Sequence, residues 1–145
     1  MACQNGSNTS MDIATEANII GTWYQDDIGI EGQNGPGRVD TKHFFIFNKD
    51  NSYITKHDLT WILKDSTYHF GDGGFCMIGT WRLVSDTLKT ALEMHVNKGD
   101  TIKLDHKLEE ALQIIYINKD SMVILPSNSK GYAILYRSKE EENVQ

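Results

Sequence analysis

The chain has 145 residues, 20 acidic against 14 basic side chains and a net charge of −6, and is 39% hydrophobic and 23% charged. That length suits one domain with a real core. The acidic balance, with no basic run of five, argues against a nucleic-acid module, which relies on clustered Lys and Arg. No apolar run approaches the ~18 residues of a membrane-spanning helix. Isoleucine outnumbers leucine, 15 to 10, threonine contributes 11 residues, and alanine is scarce. Branched side chains fit a pleated surface and Ala-poor segments make weak helices, so the composition favours an all-β fold.

In chain order, residues 1–17 read as a polar leader or tether. Its tract from Cys3 to Ser10 (Cys3-Gln4-Asn5-Gly6-Ser7-Asn8-Thr9-Ser10) has no hydrophobic period. Asn5-Gly6-Ser7 and Asn8-Thr9-Ser10 match glycosylation sequons, which count only in a secretory eukaryotic host. Residues 11–18 can form one helical turn, and residues 19–25 read as the first strand. Residues 26–40 carry Gly29, Gly32, Gly35, Pro36 and Gly37, a connection long enough to suggest a functional loop. Residues 41–47 and 52–57 form a predicted hairpin around Asn48-Lys49-Asp50-Asn51, and residues 59–63 suit another strand.

A second hairpin is expected between 78–84 and 87–94, turning at Ser85-Asp86, and a third between 111–117 and 121–125, turning at Asn118-Lys119-Asp120. Residues 100–105 and 132–137 add strands, whereas 107–112 has helical propensity and stays open between helix and strand. Residues 139–145 read as a charged tail. Leu88, Thr90, Leu92 and Met94 share one face, with Lys89 and Glu93 on the other. Eight to ten short strands joined by tight turns describe an up-and-down meander, and closing it into an antiparallel barrel removes its edges. The barrel is assigned to residues 18–138.

The tetrad Ile20-Gly21-Thr22-Trp23 returns as Ile78-Gly79-Thr80-Trp81, and each copy is followed by an Asn-Lys-Asp turn. Gly two residues before each Trp, on the same face, leaves room for a bulky neighbour to cross. Gly21-Thr22-Trp23, Phe45-Ile46-Phe47-Asn48-Lys49-Asp50, Gly79-Thr80-Trp81-Arg82-Leu83 and Tyr136-Arg137, in that order, resemble the lipocalin-like domains of the calycin group. The likeness is greatest to the small versions found in Bacteroidetes envelope lipoproteins. The resemblance covers residues 18 to 138. It implies that Arg137 packs over Trp23 in a cation–π contact, with Gly21, Trp23 and Arg137 forming a structural barrel floor. Ala2-Cys3 likewise resembles the mature end of a bacterial lipoprotein, where the Cys receives the lipid, although no charged and apolar signal region precedes it. That likeness implies an exported protein at the bacterial envelope, attached to the membrane through Cys3 alone.

Seven aromatics on predicted strands (Phe45, Phe47, Tyr53, Trp61, Trp81, Tyr116 and Tyr136) can share the interior. They either fill it, since ~8 strands leave just enough room for side chains, or line a pocket for one small apolar ligand beneath loop 28–38. Cys76 in an apolar stretch reads as a small buried hydrophobe rather than a reactive thiol. His43 and His57 fall on hairpin-paired strands with Asp58 beside them, a weak pattern for metal or general-base chemistry when surface histidines explain it as well. Gly71-Asp72-Gly73-Gly74 lacks the Lys of a phosphate loop and reads as a turn. No Gly-x-Ser-x-Gly nucleophile elbow exists. The expectation is a non-enzymatic barrel without cofactor or metal that binds a small hydrophobic molecule; the alternative is an interaction or inhibitor module with a filled core.

Overall fold

In the computed structural model, which describes residues 14–33 and 35–139, one short helix precedes nine strands. Helix α1 (Glu16–Ile19) is capped by the Thr15 side chain, which accepts from the Asn18 N–H. The strands are β1 (Gly21–Asp27), β2 (Arg38–Phe47), β3 (Ser52–Ile62), β4 (Thr67–Gly71), β5 (Phe75–Val84), β6 (Thr87–Asn97), β7 (Asp100–Ile117), β8 (Ser121–Pro126) and β9 (Ala133–Arg137). Neighbours are antiparallel in the order β2-β1-β9-β8-β7-β6-β5-β3-β4, and β2 also pairs with β3. Eight strands thereby close into a barrel. The ninth, β4, flanks the distal half of β3 (Leu59 to Ile62), while β5 takes the proximal half (Ser52 to Lys56). The expected all-β, closed up-and-down barrel is the observed architecture.

Several boundaries differ from expectation, each for a tertiary reason. β1 begins two residues late because Ile19 ends the helix and its carbonyl receives the Trp23 indole N–H at 2.8 Å. Segments 52–57 and 59–63 merge into the single strand β3, held along its length by β2. β4 had no counterpart among the sequence expectations. Residues 107–112 are strand: β6 offers Leu88, Thr90 and Leu92 opposite Leu112, Glu110 and Leu108, and this pairing overrides local helical propensity. Residues 1–13 and 140–145, including Cys3 and most of the expected leader and tail, lie outside the described residues.

The core gathers at one end of the barrel. Ile19, Trp23, Phe47, Tyr53, Trp81, Leu88, Leu112, Ile114, Ile117, Met122, Ile124 and Leu135 are buried in one cluster. The two Gly-Thr-Trp copies lie here, and both indole N–H groups donate to backbone carbonyls, Trp23 to Ile19 and Trp81 to Asn48 at 2.9 Å. Room at Gly79 goes to the neighbouring backbone rather than to a side chain: a Cβ there would stand 1.7 Å from the Ala91 carbonyl oxygen. This close approach coincides with a bulge between Ile78 and Gly79 that bends the sheet.

Arg137 seals the same end. Its guanidinium carbon lies 4.1 Å from the Trp23 ring centroid. Its nitrogens donate to the carbonyls of Asn18 (2.7 Å), Lys119 (2.9 Å) and Ile20 (3.0 Å). One side chain thus ties the N-terminal helix, the β7–β8 turn and the first strand together. The turns at this end use the expected chemistry. The Asn118 side chain accepts from the N–H groups of Asp120 and Ser121, and Asp50 accepts from the Ser52 N–H and hydroxyl.

Candidate functional site

The other end of the barrel is built differently, and strand length is the cause. β8 pairs with β7 only from Leu112 to Ile117, and β9 pairs with β1 only at Trp23 and Tyr24. Beyond that level, β7 residues 100–103 and 108–111 have ladder partners on the β6 side alone, and Gln25 to Asp27 of β1 on the β2 side alone. The inner face of this half is therefore a cup rather than a sealed core.

Register identifies what lines it, because directly paired residues share a face. Continuing inward-facing positions from Trp23 gives Gln25 and Asp27, opposite His43 and Thr41 of β2, with Phe45 beside Trp23. On β3 the same face carries Thr55 and His57, opposite Phe45 and His43, and on β5 it carries Met77 opposite Thr55. His95 of β6 faces Met77 across the ladder and stacks edge-on against Phe75, ring centroids 5.6 Å apart. Leu92 packs on the core, and its partner Leu108 is 51% exposed. Clean alternation of buried and exposed residues in the core half (Gly79 to Arg82, Leu88 to Thr90) gives way to half-buried positions throughout β2 and the far part of β6.

Polar groups in the cup are coupled. The rings of His43 and His57 meet edge to face at 4.5 Å. Burial, and next the His57 charge, pushes the His43 pKa below its ordinary value, while Asp27 pulls it upward. His43 is therefore neutral at physiological pH, offering one donor and one acceptor. At the base of the cup, burial raises the Tyr53 phenol pKa far above its usual range, with the Glu110 carboxylate adding to the rise.

A loop forms one rim. The Gly32 N–H donates to the Gly37 carbonyl at 2.8 Å, folding this loop back, and the Gly29 N–H donates to Asp40 at 2.9 Å. That bond, together with the Arg38 guanidinium at 3.1 Å, holds the Asp40 carboxyl pKa below the usual carboxylate range. Gly37 has φ +76° and lies where a Cβ would stand 2.2 Å from the Ile62 carbonyl, so only glycine lets the loop dock on β3. The Trp61 indole N–H donates to the Pro36 carbonyl at 2.9 Å and its ring packs on Tyr68. Beneath this loop lies a hollow of about 290 Å³ touching Asp27, Ile28, Ile30, Val39 and Thr41. Ile28 and Ile30 are largely exposed at its edge.

The seven aromatics expected to share the interior are thus divided. Phe47, Tyr53 and Trp81 are core: Phe47 stacks on Tyr53 at 4.9 Å and meets Trp81 edge-on at 5.5 Å. Phe45 is on the inner face at the boundary of core and cup, and Trp61 is at the rim beside the loop. Tyr116 and Tyr136 do not join them. A bulge between Ile114 and Tyr116 turns Tyr116 off the inward row, and Tyr136 is 45% exposed on the outer face against Tyr24. The grouping of His43, His57 and Asp58 is also corrected. Asp58 follows His57 on β3 and so faces outward, where its carboxylate lies 2.7 Å from His69 Nε2. Among the described residues no group of three or more His, Cys, Asp or Glu is arranged to hold a metal ion. Cys76 is half-buried on the outer face, in register with Lys56, and burial foremost raises its thiol pKa.

Sequence reasoning overlooked Gln25, Asp27, Thr55, Phe75, Met77, Leu92 and His95 as lining residues. Parity from Trp23 would have found the first two; the others needed the β3–β5–β6 register. No known protein family matches the chain, and no curated protein matches it in sequence.

Proposed function

We propose that this protein is a non-enzymatic, lipocalin-like barrel whose open cup binds a small, largely hydrophobic molecule. One observation carries the reading: the inner face of the open half is lined by half-buried apolar side chains (Phe45, Phe75, Met77, Leu92) interspersed with hydrogen-bonding groups (His43, His57, Thr55), in a barrel whose other half holds the buried core. A ligand entering the cup would remove that apolar surface from water at ~25 cal/mol per Å², and the histidine and threonine groups would fix its orientation. Loop 28–37 would cover it from one side. Attachment at a bacterial envelope through a lipid on Cys3 belongs to the same proposal and rests on the lipoprotein-like start of the chain.

The test is titration of the full chain with a fluorescent fatty acid, cis-parinaric acid, in wild type, Phe45→Ala/Met77→Ala and the outer-face control Tyr136→Ala. Saturable binding that weakens at least about tenfold in the cup variant and persists in the control is the expected result. Absence of saturable binding by fatty-acid, sterol and tetrapyrrole probes alike would overturn the proposal.

A second reading, a protein-interaction module, is favoured by an aromatic stripe on the outer face. Phe44, Tyr24 and Tyr136 run across β2, β1 and β9 at centroid spacings of 6.4 and 5.9 Å. Lys42 and Lys56 lie over Tyr24 and Phe44. Such a stripe, half-buried at Tyr24 and Phe44 and exposed at Tyr136, suits a partner surface.

A further inference from the structure

A hollow of about 650 Å³ lies away from the cup, on the outer face of the sheet where β5, β6 and β7 cross the level of the Gly79 bulge. Its floor is shallow because the side chains there are small: Ala91 pairs with Thr80 on one side and with Glu109 on the other, and Lys89 pairs with Ala111. The close approach of β6 to Gly79 sinks that floor further.

Two features of the walls point to a ligand. First, Arg82 and Lys89 are direct cross-strand partners on this face, both exposed, and among the described residues neither forms a salt bridge. Like charges placed opposite each other weaken a sheet, so this pair is a local cost in a chain of net charge −6. An oxyanion between them would reverse the sign of that cost, with Arg supplying a planar fork of donors and Lys a mobile point charge. Second, the flanking walls are polar and held in place. The Asn51 amide donates to the Trp81 carbonyl at 3.0 Å while the Trp81 N–H donates to the Asn51 carbonyl at 3.0 Å, clasping the β2–β3 turn to β5. Opposite, the Ser127 N–H donates to the Ala111 carbonyl at 2.9 Å and brings Asn128 to the edge. Hydroxyls and amides from Thr80, Asn51, Ser127 and Asn128 line the hollow together with the cations, and the carboxylates of Glu109 and Glu110 line it as well, as acceptors for hydroxyl groups.

We infer that this outer hollow binds a small polyhydroxylated oxyanion of acidic-sugar character: its carboxylate or phosphate on Arg82 and Lys89, its hydroxyl groups on the amide and hydroxyl walls. The volume fits one such molecule, and the absence of an exposed aromatic on the walls disfavours an apolar one. This site is independent of ligand binding in the cup.

The experiment is an amide chemical-shift titration of the full ¹⁵N-labelled chain with glucuronate, glucose 6-phosphate, inorganic phosphate and glucose. Shifts confined to residues 80–82, 89–91 and 127–128 are expected with both anionic sugars, stronger with whichever of carboxylate or phosphate is the better oxyanion, and absent with glucose. Arg82→Gln/Lys89→Gln, a surface change whose fold is verified by its own spectrum, is expected to weaken binding about tenfold or more, and added salt to weaken it further. No response to either acidic sugar, or an unchanged response in the double variant, would overturn the inference. An equal affinity for inorganic phosphate would overturn its carbohydrate part.

Discussion

The two ends of this barrel share the same strands, and only one of them is a core. At the closed end the inward side chains form one buried cluster, because β8 and β9 complete the ring, α1 adds Ile19, and Arg137, paired with Trp23, covers its indole. At the open end β1, β2, β3, β5, β6 and β7 continue without β8 and β9, and inward side chains such as Phe45, which still packs on the core at its edge, and Met77 are only half-buried. The contrast teaches that burial in a barrel is set by the shortest strands of the ring. A side chain two residues further along the same face can change from structural to available without any change in its chemistry.

Phe47 and Phe45 are the sharpest probe of that difference, being two positions apart on one face of β2. Phe47→Ala removes a fully buried ring stacked on Tyr53 and edge-on to Trp81, and is expected to cost about 3–5 kcal/mol in urea denaturation, enough to unfold a marginal domain. Phe45→Ala should cost less than about half of that and instead reduce binding of an apolar probe. Equal stability losses at the two positions would mean that the open half is as tightly packed as the closed one.

Arg137 gives the next largest effect. Replacing it by Ala loses a cation–π contact and three charge-assisted hydrogen bonds, an expected loss of about 2–4 kcal/mol. Arg137→Lys should recover less than half, since an ammonium cannot reach three carbonyls in the guanidinium's fork geometry. Full rescue by Lys, measured as the urea midpoint, would show that charge alone seals this end.

The smallest effect is a pH dependence confined to the open end. His43 has a folded pKa below its unfolded value, so the unfolded chain binds more protons and stability is expected to fall as pH drops from about 6.5 toward the folded pKa. His43→Gln should flatten the stability profile between about pH 5 and 7, whereas substitutions in the closed core should shift the profile without flattening it. An unchanged slope in His43→Gln would remove the assigned burial of that imidazole.

Much of the closed end was legible in the chain. The Gly-Thr-Trp repeat marked both core tryptophans, the Asn-Lys-Asp turns marked two hairpins of that end, and period-2 alternation marked Leu88, Thr90 and Leu92 as inward, whereas Met94, expected on the same face, leaves it at the bulge between Leu92 and Met94. Each of these signals is local, written within a few residues. Less could be read about the cup. His43 and His57 could be paired across the predicted hairpin, but His95 joins their inner face only through the β3–β5–β6 register. Bulges at Gly79, Met94 and Tyr116 shift parity in ways that strict alternation cannot anticipate, which is why Tyr116 leaves the interior.

By itself the sequence determined an acidic all-β barrel and the positions of its main hairpins, while the packing of Arg137 over Trp23 was implied only by the family resemblance. Its branched residues, turn residues and alternation act over short range. Tertiary structure decided the rest: that residues 107–112 extend as strand, that Phe47, Tyr53 and Trp81 are core while Phe45 borders a cup, and that Arg82 and Lys89 meet over an outer hollow. The physical reason is common to all three. Whether a side chain is buried, paired or left facing open space depends on where neighbouring strands stop and bend, a property of the closed ring rather than of any one segment.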